Sequence, residues 1–413
     1  MIDASEDDVE SDEGEPDEEE MREKKRKARK AAARKPAAKK PKANGEVNLA
    51  IRPAANAKAK RPRKARPQKR VGRVGVDAEE VGGLYRDVFA GNKSMDDVAG
   101  QWLQRFGEHE SLALSEIFNF VLQAAGCNYR IDEHVVEDPD HFAEKLTDIQ
   151  DEYQAQNISE YPLIAKGRAA TTFKHNLEGF FHSLIRTLAA SAHLYDEPVL
   201  MENVVAWIGT MSSAGNRPFR HTATVASLAI VSALCETGKA LLDSTAVKVR
   251  QTEGEKRKKG VNKKRVSDLD DKVKKANEQK DTIEGYITNW FDTVFVHRYR
   301  DIDPRIRTDC VQALSDWIET YPDVFFESEY LRYLGWILSD TNAPTRLEVV
   351  KQLQGLFSDK TKIGGLKSFT EKFRARMVEM ATRDAEASVR AAAVELLDIL
   401  RESGLLEPDD IDS

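Results

Sequence analysis

The stretch Asp301-Ile302-Asp303-Pro304-Arg305-Ile306-Arg307-Thr308-Asp309-Cys310-Val311-Gln312-Ala313-Leu314 returns in outline twice further along the chain. Asp301, Asp340 and Asp384 are each followed six residues later by an arginine: Arg307, Arg346 and Arg390. Each arginine is followed seven residues later by a leucine: Leu314, Leu353 and Leu397. The intervals of 39 and 44 residues are the length of a helix pair, a unit too small to bury its apolar face unless it stacks on its neighbours. In such a stack the Asp lies in a turn where it can cap a helix start, and the Arg, one to two turns in, reaches a neighbouring repeat's Asp. The Leu faces the shared core. The Asp–Arg pairs are therefore structural and stand outside any active site.

Toward the N-terminus the helical periodicity continues. From about residue 84, apolar residues recur at three- and four-residue spacing, as in Phe173, Leu177, Phe180, Phe181, Leu184 and Leu188, and again in Leu200, Val204, Trp207, Ile208 and Met211. Turn chemistry interrupts the pattern at Glu137-Asp138-Pro139, Asp196-Glu197-Pro198 and Ala214-Gly215-Asn216-Arg217-Pro218. Phe219 to about Lys248 holds no Pro and one Gly, Gly238, and reads as one helix of about 45 Å. Leu269, Val273, Ala276, Lys280, Ile283, Ile287, Trp290 and Val294 then form a heptad-type seam. The fold class that follows is all-α: a HEAT-repeat α-solenoid with a long antiparallel helical hairpin protruding from its body. Its expected segments are a tail (1–75), an N-terminal helical segment (76–160), a domain with the hairpin (161–298), HEAT-like repeats (299–402) and an acidic end (403–413).

The tip of the hairpin concentrates charge. Lys248, Arg250, Lys256, Arg257, Lys258, Lys259, Lys263, Lys264 and Arg265 stand against only Glu253 and Glu255, for +7 within residues 248–265. The formal net charge of the 413-residue chain is −7, which conceals a strong segregation. Residues 1–20 carry −12 and residues 21–73 carry +20, so the rest carries −15. A basic cluster on an acidic body points to a local polyanion site, with a solvated loop as the plain alternative. The first 73 residues contain no aromatic residue and are expected to be a disordered tail. Within it, Lys24-Lys25-Arg26-Lys27 reads as a nuclear-localisation cluster, and the whole basic stretch reads as an import signal or a sequence-independent phosphate binder. The acidic leader either folds back on that stretch or binds basic proteins.

Several classes are excluded. No uninterrupted run of 18 apolar residues occurs, so no membrane span is expected. Cys127, Cys235 and Cys310 are odd in number and far apart, which fits a reducing compartment and neither a disulfide framework nor a paired-cysteine zinc site. The eight histidines form no catalytic constellation, and no metalloprotease, phosphate-loop or nucleophile-elbow motif is present. A non-enzymatic protein without cofactor or metal is expected. The sequence stops soon after its third repeat, so the N-terminal portion of a longer protein, or a short gene model, is expected.

Ser212-Ser213, Arg217 and Phe219-Arg220-His221-Thr222-Ala223-Thr224 resemble the signature block of the stromalin (STAG/SA) subunits of cohesin. So do Phe295-Val296-His297-Arg298-Tyr299-Arg300-Asp301 and Tyr330-Leu331-Arg332-Tyr333-Leu334-Gly335-Trp336. The resemblance covers roughly residues 160–400 and is to a fungal-like member. It implies a hooked helical-repeat body, binding to the kleisin and SMC subunits, contact with double-stranded DNA without base readout, and a role in cohesin loading and sister-chromatid cohesion on nuclear chromosomes. It carries DNA contact onto the 256–265 cluster and a docking surface for short aromatic motifs of chromatin proteins onto Tyr299, Trp336, Phe369 and Lys372. Vertebrate members have Arg where this chain has Lys372, which keeps the charge and loses the planar fork. The family's main kleisin surface lies beyond these residues. The rival reading is a nuclear HEAT-repeat scaffold, transport-receptor-like, that recognises proteins and not DNA.

Overall fold

The computed structural model describes residues 75–136, 142–155, 160–165, 167–258 and 262–407. The expectations placed on residues 1–74, including Lys24, Lys25, Arg26 and Lys27, on Glu137-Asp138-Pro139, on Lys259 and on residues 408–413 lie outside them. Among the described residues the regular elements are all helical, and twelve helices have ten or more residues. In chain order they are α1 (Met95–Glu108), α2 (Glu110–Ala124), α3 (Phe142–Ala155), α4 (Arg168–Ala190), α5 (Pro198–Ser212) and α6 (Arg217–Lys256). They continue with α7 (Lys263–Trp290), α8 (Pro304–Thr320), α9 (Ser328–Ile337), α10 (Ala343–Ser358), α11 (Ile363–Arg383) and α12 (Ala387–Glu402).

Local chemistry sets where these helices start. Pro198, Pro218, Pro304 and Pro344 sit in first turns, where a missing N–H costs nothing. Ser94 Oγ accepts from Asp97 N, Asn262 Oδ1 from Arg265 N, Asp303 Oδ1 from Arg305 N and Asn342 Oδ1 from Thr345 N. Each satisfies an orphan donor of a first turn.

The repeats stack as α8 on α10 on α12, with α9 beside α11. The arginines of the repeat pattern tie the layers together. Arg307 donates to both oxygens of Asp340 at 2.6 Å, and Arg346 to both of Asp384 at 2.7 Å. Each turns its Nη1 back to the carbonyl six residues earlier, at 2.7 Å to Asp301 and 2.8 Å to Asp340. The carboxylates do not cap the helices themselves, as the spacing had suggested. Each accepts the N–H two residues on (Asp303, Asn342 and Glu386), shaping the turn, while Asp303 and Asn342 cap α8 and α10.

One rung was not visible in the repeat pattern. Arg220 of α6 donates to both oxygens of Asp301, at 2.8 and 3.3 Å, and its Nη1 reaches the Ala214 carbonyl, again six residues earlier. The two side chains are 6% and 1% exposed. The hairpin helix is thus the first layer of the stack.

Helix α6 runs eight residues past the expected end near Lys248. The charged segment Arg250–Lys256 contains Gln, Glu and Lys, all good helix formers, and charge alone had read as a loop. Its apolar first half is long and apolar enough to cross a membrane, but it is packed within the protein, from Phe219 to Cys235. The distal half is largely exposed and pairs with α7 to form the protruding hairpin. The expected seam is observed, with Ala276, Ile283, Ile287, Trp290 and Val294 buried and Lys280 half-buried beside Glu284 at 3.0 Å. A π-turn, Phe291–Phe295, ends the hairpin and feeds an aromatic core of Phe295, Trp317, Phe325 and Tyr333.

The three cysteines are buried and free. Burial pushes the Cys127 thiol up to about 11 and those of Cys235 and Cys310 well above the ordinary value, so none is poised as a nucleophile. Gly335 lies where a Cβ would meet the Phe373 ring at 2.2 Å. Gly335→Ala is expected to cost about 1–3 kcal/mol through overpacking of α9 on α11, read as a lowered urea midpoint with an unchanged slope.

Candidate nucleic-acid and peptide interfaces

The sequence-predicted basic cluster divides between two helices. Lys248, Arg250 and Lys256 lie on α6, Arg257 and Lys258 on the turn, and Lys263, Lys264 and Arg265 in the first turn of α7. Half of the described members already have acid partners inside the hairpin. Lys256 pairs with Asp270 at 3.1 Å, Arg257 with Glu253 at 3.9 Å, Lys258 with Glu255 at 2.6 Å and Arg265 with Glu255 at 3.4 Å. The hydrogen bond from Lys258, with the Arg265 charge behind it, holds the Glu255 carboxyl below its ordinary value. Lys248, Arg250, Lys263 and Lys264 have no ion pair among the described residues. The linear count therefore overstates the tip's free charge, because Asp270 of α7 folds back against α6 and two glutamates sit between the bases. Four unpaired cations at the end of a hairpin can each meet a phosphate without first breaking a protein contact.

A second surface lies at the opposite end of α6, near the Arg220–Asp301 rung. Four of the five tryptophans are fully buried, and Trp336 is 44% exposed. Its ring lies 6.2 Å from Tyr299 and 5.2 Å from Tyr333, the latter nearly perpendicular. The Arg332 guanidinium sits over both Trp336 (5.4 Å) and Tyr333 (5.3 Å). Of the residues expected here, Tyr299 and Trp336 are brought together. Phe369 is instead buried at 6% exposure, packed on Phe357 and Phe373. It turns toward the core beside Phe357 of α10 rather than into the exposed patch. Lys372 places its Nζ 5.5 Å from the Phe373 ring. Arg332 was missed, although its place one helical turn before Trp336 puts both on one face.

Another polar constellation is a structural bolt. Tyr161 bonds His221 Nδ1 at 2.8 Å, and His221 Nε2 bonds Asp309 at 2.9 Å. Lys174 donates to Asp309 at 2.7 Å. Burial alone would raise the Asp309 carboxyl, but the His221 hydrogen bond and Lys174 charge hold it below its ordinary value. Lys174 pairs in addition with Glu178 at 3.7 Å, and the group ties α4, α6 and α8 together. No group of three or more metal-ligating side chains occurs among the described residues.

Stacked helix pairs, an arginine–aspartate ladder and a projecting charged hairpin define an α-solenoid scaffold. Residues 159–272 match the STAG domain and residues 300–374 the stromalin conservative domain. The chain belongs to the stromalin family. It is 39% identical over 315 residues to cohesin subunit psc3 of Schizosaccharomyces pombe, covering 76% of this chain and 33% of that protein. It is 30% identical over 338 residues to human cohesin subunit SA-3, covering 80% of this chain and 27% of that protein. The chain thus spans a third or less of the length of these relatives. Among solved structures, cohesin subunit Scc3 from Z. rouxii superposes with a TM-score of 0.74 at 26% identity, covering 80% of this chain and 38% of that one.

Proposed function

We propose that this chain is part of a non-enzymatic cohesin subunit that holds duplex DNA through backbone phosphates and presents a docking patch to short aromatic motifs of chromatin proteins. The reading places it on nuclear chromosomes with SMC and kleisin partners, in cohesin loading and sister-chromatid cohesion. The names of its relatives support the cohesin assignment. The observation that carries the DNA reading is the set of four unpaired bases, Lys248, Arg250, Lys263 and Lys264, at the end of a hairpin on an otherwise acidic fold. Phosphate contacts release counterions and read no bases. Titration of mixed-sequence duplexes at several salt concentrations tests it, using residues 76–413 with and without charge reversal of these four. An unchanged salt slope would remove the assignment and favour a scaffold that recognises proteins alone.

The motif-docking part rests on the exposure of Trp336 within the Tyr299–Tyr333–Arg332 cluster. Half-exposed aromatics beside an arginine are the composition of interface hot spots. Trp336→Ala is expected to weaken binding of a Phe- or Tyr-containing peptide by about 30-fold or more while leaving the melting curve nearly unchanged. Equal peptide affinity for the variant would exclude this patch.

A further inference from the structure

We infer that Ser267 is a phosphorylation site that turns the hairpin tip off. The inference rests on the DNA reading of the tip given above. Ser267 lies in the second turn of α7 within Lys263-Lys264-Arg265-Val266-Ser267-Asp268-Leu269-Asp270, and it is exposed. Its hydroxyl has no hydrogen bond among the described residues, so a modifying enzyme displaces nothing to reach it.

The flanking charge is arranged for recognition by a protein kinase. Lys264 and Arg265 stand three and two residues before the serine, and Asp268 and Asp270 one and three after it. The first pair suits a kinase with an acidic substrate groove, and the second suits one with a basic groove. The chemistry is the same for both. The Ser267 Oγ forms a bond to the γ-phosphorus of ATP, the bond from that phosphorus to the β,γ-bridging oxygen breaks, and ADP leaves. The hydroxyl proton passes to the kinase's catalytic base.

The consequence follows from helical spacing. Residues three and four before Ser267 share its face of α7, and these are Lys264 and Lys263, two of the four unpaired bases. A phosphoserine carries about −2 charge and three acceptor oxygens. It pairs with both lysines where they stand. The same phosphate repels Asp270 and Asp271 on its other side, which favours its leaning toward the lysines. Two DNA contacts are thereby lost without any change of fold. At ~0.15 M salt each lost phosphate contact weakens binding by about fivefold, so the modified chain binds duplex about 30-fold more weakly, with a salt slope smaller by about two.

The test uses the full chain, ATP and, in separate arms, a basic-directed and an acid-directed serine kinase, with Ser267→Ala alongside. Mass spectrometry of the products is expected to place phosphate on Ser267 in one arm. That product is expected to show the weaker, flatter salt dependence, and the kinase-treated Ser267→Ala chain is expected to show neither. Absence of phosphate from Ser267 in both arms overturns the site, whatever the DNA affinity. Phosphate on Ser267 with unchanged affinity, while the four-residue charge reversal still weakens binding, overturns the switch alone. If the charge reversal is itself silent, the DNA reading falls and the switch falls with it.

Discussion

Asp301→Ala is expected to destabilise the fold by about 3–5 kcal/mol, the cost of stranding a buried charge. The Asp301 carboxylate accepts from Arg220 at 2.8 Å, from Arg298 at 2.7 Å and from the Asp303 N–H at 2.8 Å, with 1% of its side chain exposed. Its removal leaves Arg220, 6% exposed, with only the carbonyls of Ala214 and Gly215. It also frees the turn that leads into α8. Urea titration followed by circular dichroism reads the loss. Asp398→Ala is the comparison, because Arg401 and Asp398 are 57% and 58% exposed and such pairs contribute about 0–1 kcal/mol. Equal losses for the two would refute the ladder as a stabilising element. The ladder also has a pH signature. The hydrogen bonds from Arg346 hold the Asp384 carboxyl below its ordinary value of 3.8. Its contribution is therefore complete above that value and is lost as pH falls through the lower folded one.

Joint reversal of Lys248, Arg250, Lys263 and Lys264 to Glu is expected to weaken duplex binding by residues 76–413 by about 600-fold or more at ~0.15 M salt. Four contacts are lost at about a factor of five each, and the logarithmic salt slope falls by about 3.6. The same reversal of Lys256, Arg257, Lys258 and Arg265 to Glu, an equal change of charge, is expected to cost less, because their partners Asp270, Glu253 and Glu255 must be displaced before a phosphate can bind. Glu255→Gln acts in the opposite direction. It releases Lys258 and Arg265, and its expected result is tighter binding with a steeper slope. Melting curves should coincide for all of these, since the tip lies outside the hydrophobic core. A ranking that followed total charge and ignored pairing would show that the ion pairs seen within the hairpin do not persist in solution.

Much of this architecture is legible in the residues. The spacing of Asp301, Arg307 and Leu314 and its two echoes describe a stack, and the stack joins those arginines to the next repeat's aspartates. The seam from Leu269 to Val294 describes a helix laid on α6. Periodic apolar positions are legible because burial acts on every turn alike. What was illegible depends on contacts distant in sequence. Arg220 and Asp301 are 81 residues apart, and only the arginine's reach to a turn carbonyl six residues back marks it as a ladder member. At the tip, the Lys256–Asp270 and Arg265–Glu255 pairs cross between the two helices of the hairpin and were hidden for the same reason, whereas Arg257–Glu253 and Lys258–Glu255 are local in spacing. Phe369 looked like a partner for Trp336, yet a phenylalanine on an amphipathic helix carries no sign of whether it faces a core or a ligand. The missed Arg332 was accessible in principle, since its spacing from Trp336 is local.

The single helix α6 fixes a distance. Arg220, at the rung beside Tyr299, and Lys256, at the tip, are 36 residues apart on one continuous helix, or about 54 Å. Because the helix is unbroken and its first half is clamped in the core, it acts as a ruler between the basic tip and the exposed aromatic cluster. About 16 base pairs of B-form duplex cover the same length. A partner that held DNA at the tip while inserting an aromatic motif beside Trp336 would need at least about 15–16 extended residues between its two elements. A shorter connector could engage only one end at a time, and two-site avidity would vanish abruptly below that length rather than fade.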